Sequence, residues 1–189
     1  MYLLKQKILD EGIAITGEIL KVDAFLNHQI DPALLRELGR EFAKRFSDTN
    51  PTKILTIEAS GIAVAVMAGL EMGLPVVFAK KGKPGTMTGG VFYSNVKSFT
   101  KDTEYQIFVS SSYLTESDRI IIIDDFLARG DSIMGLLDIL AQSGSILEGV
   151  GIVIEKGFQE GGEKLRRRGI RLESLAVIKD MKDGKISFC

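Results

Sequence analysis

The stretch "RIIIIDDFLARGDSI", residues 119–133, decides how this chain folds. Four consecutive isoleucines make both faces of a strand apolar, which marks a strand buried on each side. Two aspartates follow, then a short loop with one glycine, then the opening of a helix. Burying isoleucine is favourable, whereas seating two carboxylates side by side is costly. In isolation, paired acids read as punctuation between strand and helix. An apolar strand, acids at its end, a glycine and then a helix together outweigh that plainer reading.

The pattern repeats outward from this stretch. "KILTIEA" (53–59), "PVVFAK" (75–80), "QIFVSS" (106–111), "GVGIVIEK" (149–156) and "RLESLAVI" (171–178) have the length and apolarity of further buried strands. Between them, "GIAVAVMAGLEMG" (61–73) and "DSIMGLLDILAQSG" (131–144) read as helices closed by glycine. Before them, "DPALLRELGREFAKRF" (31–46) is the clearest helix. Asp31 can cap it, Pro32 suits its first turn, and Leu34, Leu35, Leu38, Phe42 and Phe46 form one apolar stripe. Apolar strands alternating with helices predict an α/β fold, a parallel sheet covered on both faces. No repeat, low-complexity tract or linker divides the chain, so residues 1–189 read as a single domain.

Composition agrees. The 189 residues are 45% hydrophobic and 26% charged, enough for one full core and against disorder. A net charge of −1 indicates no global pull toward nucleic acid or an anionic membrane. Cys189 is the only cysteine, which excludes an internal disulfide and a cysteine-based zinc site and fits a reducing compartment. The N-terminal stretch "MYLLKQKILDEG" has lysines where a signal peptide has its apolar region, and no apolar run approaches ~18 residues. The expectation is a soluble cytoplasmic protein that partners neither nucleic acid nor membrane.

Open α/β sheets bind ligands beyond the carboxyl ends of their strands, which nominates loops 58–61, 80–105, 124–132 and 155–158. Ionised Asp124 and Asp125 accept hydrogen bonds and so match the hydroxyls of a sugar or a hydrated cation. The loop that follows leads into a helix N-terminus, which favours phosphate. Gly130 lets the backbone approach closely, and Asp131 and Ser132 are both candidate caps. Acids for hydroxyls beside a cradle for phosphate describe a sugar-phosphate site. Residues 80–101 hold five lysines and, between 82 and 90, four glycines, a composition that suits a mobile cationic loop.

"IIIIDDFLARGDS" resembles the phosphoribosyl-pyrophosphate signature of the type I phosphoribosyltransferases: aliphatics, two acids, then a loop ending Thr-Gly-Gly-Thr or Ser. Two loop positions depart from it. Arg129 stands for the threonine and adds attraction where its guanidinium reaches phosphate. Asp131 stands for the second glycine; a carboxylate aimed at phosphate repels it, so its expected part is to turn away and cap the helix. Together with "GEILKVDAFLNHQIDP", "EASGIAVA", "AKKGKPGTMTGGVFYS" and "VIEKGFQEGG", the signature makes nearly the whole chain similar to the xanthine phosphoribosyltransferases of bacterial purine salvage.

That resemblance implies a type I phosphoribosyltransferase fold with a small N-terminal hood, mainly residues 1–30, and a flexible lid loop at about 80–105. It implies transfer of the 5-phosphoribosyl group of phosphoribosyl pyrophosphate (PRPP) to N9 of xanthine, giving xanthosine monophosphate (XMP) and pyrophosphate. Asp124 and Asp125 would be catalytic, holding the ribose. Ala128, Arg129, Gly130, Asp131 and Ser132 would hold the 5-phosphate, and Ala59, Ser60, Lys80 and Lys81 the pyrophosphate. Leu20, Asn27, Phe126 and Lys156 would contact the base, although Phe126 reads equally well as core and Lys156 as a snorkelling surface lysine. Mg²⁺ would arrive with PRPP, with no organic cofactor and no protein side chain singled out as its ligand, and the enzyme would be a homodimer. His28, the only histidine, reads as structural. The basic cluster "KLRRRGIR" (164–171), with Glu163 beside it, reads as a solvated or dimer-facing surface. Two alternatives stay open: a sister enzyme using guanine or hypoxanthine, and a non-catalytic PRPP sensor.

Overall fold

The computed structural model describes residues 1–15, 17–82, 85, 89–98 and 103–189. The chain opens with helix α1 (Tyr2–Glu11), followed by short antiparallel strands β1 (Ile13–Ala14) and β2 (Leu20–Lys21) and a π turn at Asp23–Asn27. Helix α2 (Pro32–Arg45) starts as the sequence requires: one Asp31 carboxylate oxygen accepts from the Ala33 and Leu34 amides, each at 3.1 Å. Its stripe of Leu34, Leu35, Leu38, Phe42 and Phe46 is buried throughout.

Then come β3 (Lys53–Ile57), α3 (Ser60–Met72), β4 (Val76–Lys81), β5 (Val91–Ser98), β6 (Thr103–Ser110), β7 (Arg119–Leu127), α4 (Asp131–Ser143), β8 (Ile146–Lys156), α5 (Gly161–Arg167), β9 (Leu172–Asp180) and β10 (Ser187–Phe188). One eight-stranded sheet has the order β10-β9-β8-β7-β3-β4-β6-β5. Strands β9, β8, β7, β3 and β4 run parallel; β10, β6 and β5 are antiparallel to their neighbours.

The isoleucine run explains why β7 sits in the middle. Ile121 and Ile123 enter the apolar layer shared with α1, α2 and α3, while Ile120 and Ile122 enter the layer under α4. All four are fully buried, each contributing about 1.5–3 kcal/mol. From β3 the chain crosses through α3 to β4 on one side. From β7 it crosses through α4 to β8 on the other. The crevice between the carboxyl ends of β3 and β7 is therefore the switch point of the sheet, where ligands of such folds bind.

The centre of the sheet is parallel as expected, and an antiparallel edge extends it, because the strand expected at 106–111 is the return arm of a β5–β6 hairpin. Much of the span expected as lid, about 80–105, is that hairpin; the lid residues 83–84, 86–88 and 99–102, Lys83 and Lys101 among them, lie outside the described residues. β5 escaped notice for a physical reason. It is an edge strand whose buried side chains are Ser94 and Val96, so its polarity reads as loop.

Candidate active site

A cavity of about 340 Å³ lies over the ends of β3 and β7. The Ile57–Gly61 turn lines one wall, the run Asp124–Ile133 another, and Lys81 and Lys97 complete it. Asp124, Asp125, Phe126, Ala128, Arg129, Gly130, Asp131, Ser132, Ala59, Ser60 and Lys81 all line this one cavity.

The two acids are not equivalent. Asp124 is only 4% exposed, and its Oδ1 accepts the Asp125 amide at 3.0 Å. Burial, reinforced by the Asp125 charge, holds its carboxyl well above the ordinary carboxylate range, against a smaller opposing pull from Lys81. Asp125 is half-buried. A protonated Asp124 can donate one hydrogen bond and accept another. Gly61 makes room for this arrangement: a Cβ there would stand 2.5 Å from Thr56 Oγ1 and 2.6 Å from Asp124 Oδ1. The Thr56 hydroxyl is itself buried without a hydrogen-bond partner.

Two helices begin in this cavity. Gly130 occupies the cap position of α4 in the left-handed conformation, φ 89°, and Ala59 occupies that of α3. Neither helix has a side-chain cap. The expectation that Asp131 or Ser132 caps α4 is therefore corrected. Both already lie inside the first turn, and a cap must precede it with extended backbone, as Asp31 does at α2. Without a side-chain cap, first-turn amides and the positive end of the helix favour an anion.

Alternation along β4 separates the two candidate lysines. Lys81 lines the cavity, its amide donating to the Glu58 carboxylate and its ammonium 5.4 Å from the Tyr105 ring centroid. Lys80 points to the opposite face, 5.7 Å over the Phe78 ring, and does not line the cavity.

A second cavity, about 200 Å³, adjoins the first and shares Ala128, Arg129 and Asp131 with it. Glu18, Ile19, Lys156 and Gln159 complete its lining. The Lys156 ammonium donates to the Glu18 carbonyl at 2.6 Å and lies 5.8 Å from the Phe126 ring centroid. Burial lowers its pKa, opposed by the Glu18 charge. Phe126 meets both of its readings, lining the first cavity while packing against the α1–α3 layer. Leu20 and Asn27 line neither cavity: Leu20 is buried in the core and Asn27 is exposed at the end of the π turn. Their segment reaches the second cavity through Glu18 and Ile19 instead.

Several lining residues were not singled out from the sequence. Glu58 follows an apolar strand, the signal that drew attention to Asp124, and was legible on the same grounds. Lys97 becomes legible once Val91–Ser98 is recognised as a strand. Glu18 and Gln159 lie in loops with no local pattern to mark them. The basic cluster is largely exposed and also ion-paired: Lys164 with Glu160, Arg166 with Glu155, Arg167 with Glu163, and Arg171 with Asp48 and Glu173.

A xanthine phosphoribosyltransferase from Bacillus cereus is 54% identical over 188 residues, covering 100% of this chain and 95% of its own length. The chain belongs to the xanthine phosphoribosyltransferase family. A relative of the same name from Bacillus thuringiensis matches to the same extent. No protein-family profile matches. Among solved structures, the adenine phosphoribosyltransferase of Trypanosoma brucei superposes with a TM-score of 0.76 at 18% identity, over 92% of this chain and 78% of that one. That of Giardia lamblia gives 0.74 at 20% identity, over 87% and 92%. These distant neighbours share the fold, that of the type I phosphoribosyltransferases. Among the described residues, no helix is long and apolar enough to cross a membrane.

Proposed function

We propose that the protein transfers the 5-phosphoribosyl group of PRPP to N9 of xanthine, giving XMP and pyrophosphate. One observation carries this reading: the acid pair, two uncapped helix starts and Lys81 share a cavity, and a lysine-bearing cavity opens beside it. The distant T. brucei structure is a complex with AMP, pyrophosphate and ribose 5-phosphate, ligands of the same chemical classes as those proposed here.

In this assignment the α4 start, residues 128–132, holds the 5-phosphate through backbone amides, and Arg129 adds charge. Asp124 and Asp125 hold the ribose hydroxyls, with the protonated Asp124 carboxyl able to donate to one as well as accept from another. Residues 59–61 at the α3 start, with Lys81 and Lys97, stabilise pyrophosphate as it departs with the electron pair of the broken C–O bond. N9 of the base forms the new bond, and its proton goes to solvent water or to the departing pyrophosphate. Lys156 donates to an oxo group of xanthine, and Phe126 lies within reach of the base face. Positioning supplies much of the rate, since both substrates are held by rigid strand ends.

The carboxyl oxygens of Asp124 and Asp125 are hard donors that would suit Mg²⁺, whose charge favours the ionised carboxylate and which would need few protein ligands. When bound with PRPP it neutralises phosphate charge. We also expect a cytoplasmic homodimer; exposed Val66 and Leu70 on α3 and Phe78 on neighbouring β4 offer an apolar surface for a second copy. A panel of xanthine, guanine, hypoxanthine and adenine with PRPP, read as nucleotide formed, tests the reading. Xanthine should be the preferred base and adenine the poorest, because the adenine amino group donates where Lys156 also donates. Nucleotide formation from none of them would refute an enzymatic role and favour a PRPP sensor.

A further inference from the structure

Two adjacent glycines at the start of α5 touch the site from behind. Gly161 packs on the backbone of the phosphate loop: its amide donates to the Ala128 carbonyl at 3.0 Å. A Cβ on Gly161 would stand 2.4 Å from that oxygen and 2.9 Å from both Arg129 C and Gly130 N. In return, a Cβ on Gly130 would stand 3.3 Å from the Gly161 Cα. Two backbones meet here with no room for a side chain on either.

The second glycine, Gly162, packs over the ion pair between buried Glu155 and half-exposed Arg166. Glu155 is 2% exposed and takes two hydrogen bonds from the Arg166 guanidinium, each at 2.7 Å, and one from the Ser174 hydroxyl. A Cβ on Gly162 would lie 2.0 Å from Glu155 Oε1. In the sheet, Glu155 stands opposite Leu127, the residue just before the loop. The bidentate pair therefore ties α5 to β8 at the level where β7 ends. Loop 128–130 is closed in by α5 on one side and continues into α4 on the other.

We propose that Gly161, held in place by the Glu155–Arg166 pair, is a positioning element that sets the backbone of loop 128–130 for the 5-phosphate. The inference rests on the assignment of that loop to the 5-phosphate. Its geometry makes a selective demand. The brace contacts the loop that starts α4 and not residues 58–61, so it serves one end of PRPP only. It also gives Arg166 a function apart from the surface charge that its basic neighbours suggest.

Gly161→Ala in the full chain is the test, with ribose 5-phosphate and pyrophosphate titrated separately. Affinity for ribose 5-phosphate should fall about tenfold or more as the displaced loop amides lose their hydrogen bonds to it, while that for pyrophosphate holds. The KM for PRPP should rise more than kcat falls. Glu155→Gln/Arg166→Met removes the ion pair without leaving a buried charge unpaired, and should give a smaller loss of the same kind. Unchanged affinity for ribose 5-phosphate in Gly161→Ala, or an equal loss for both ligands, would overturn the brace. A wild-type protein that binds pyrophosphate but not ribose 5-phosphate would overturn the loop assignment, and the brace with it.

Discussion

Placing one methyl group on Gly61 tests the reasoning about the acid pair most directly. The added carbon would stand 2.5 Å from Thr56 Oγ1 and 2.6 Å from Asp124 Oδ1, whereas a comfortable contact needs about 3.5 Å. Neither neighbour can swing into water, since Thr56 is fully buried and Asp124 nearly so. Something must therefore move by about 1 Å, and overpacking of this kind costs roughly 1–3 kcal/mol. For a chain of this size each kcal/mol lowers Tm by about 2–4 °C, so Gly61→Ala should melt roughly 2–12 °C lower. If the Asp124 carboxyl holds ribose, a displacement near 1 Å should also reduce kcat/KM by about 100-fold. Thermal melts and the rate of XMP formation from PRPP and xanthine measure both quantities on one preparation. A variant that melts lower yet turns over at the wild-type rate would refute the role given to Asp124.

Two further outcomes are expected. Burial keeps Asp124 protonated in the folded chain at pH values where the unfolded chain has ionised it. Wild-type stability is therefore undiminished by this group below its ordinary value of 3.8 and falls as pH rises from there toward the raised native value. Asp124→Asn removes that fall, so its melting advantage over wild type should widen across this interval while turnover is lost; unchanged turnover there and in Asp125→Asn would reject the roles. Lys156→Met deletes a charged donor worth about 1.5–3 kcal/mol, so the KM for xanthine should rise roughly 10- to 150-fold with a much smaller change for PRPP. A pair of saturation curves checks it, and equal changes for both substrates would contradict the base assignment.

The parts of the site legible in the sequence share a cause. Asp124, Asp125 and the loop through Ser132 follow a strand apolar on both faces, and such a strand announces where the carboxyl edge of the sheet lies. Glu58 carries the same signal after Ile57, and Lys81 lies where a short strand ends. Leu20 and Asn27 show the opposite. Their placement came by resemblance alone, because a hood of short strands and a π turn has no periodicity from which a side chain's direction follows. The assignment of both Lys80 and Lys81 to pyrophosphate met the strict alternation of β4, which allows only one of them to face the cavity.

By itself, the order of residues determined the α/β alternation, the capped start of α2, the burial of four isoleucines and the position of the acids at a strand end. These rest on local propensity and periodicity, which act over a few residues and are written along the chain. Only the packed molecule decided that β5 and β6 form an antiparallel edge and that Asp124 is buried deeply enough to raise its pKa. It alone set α5 against the loop that starts α4, with Gly161 between them. Such features depend on which distant segments meet and how much water they exclude, and no stretch of sequence carries that information until the sheet has closed around it.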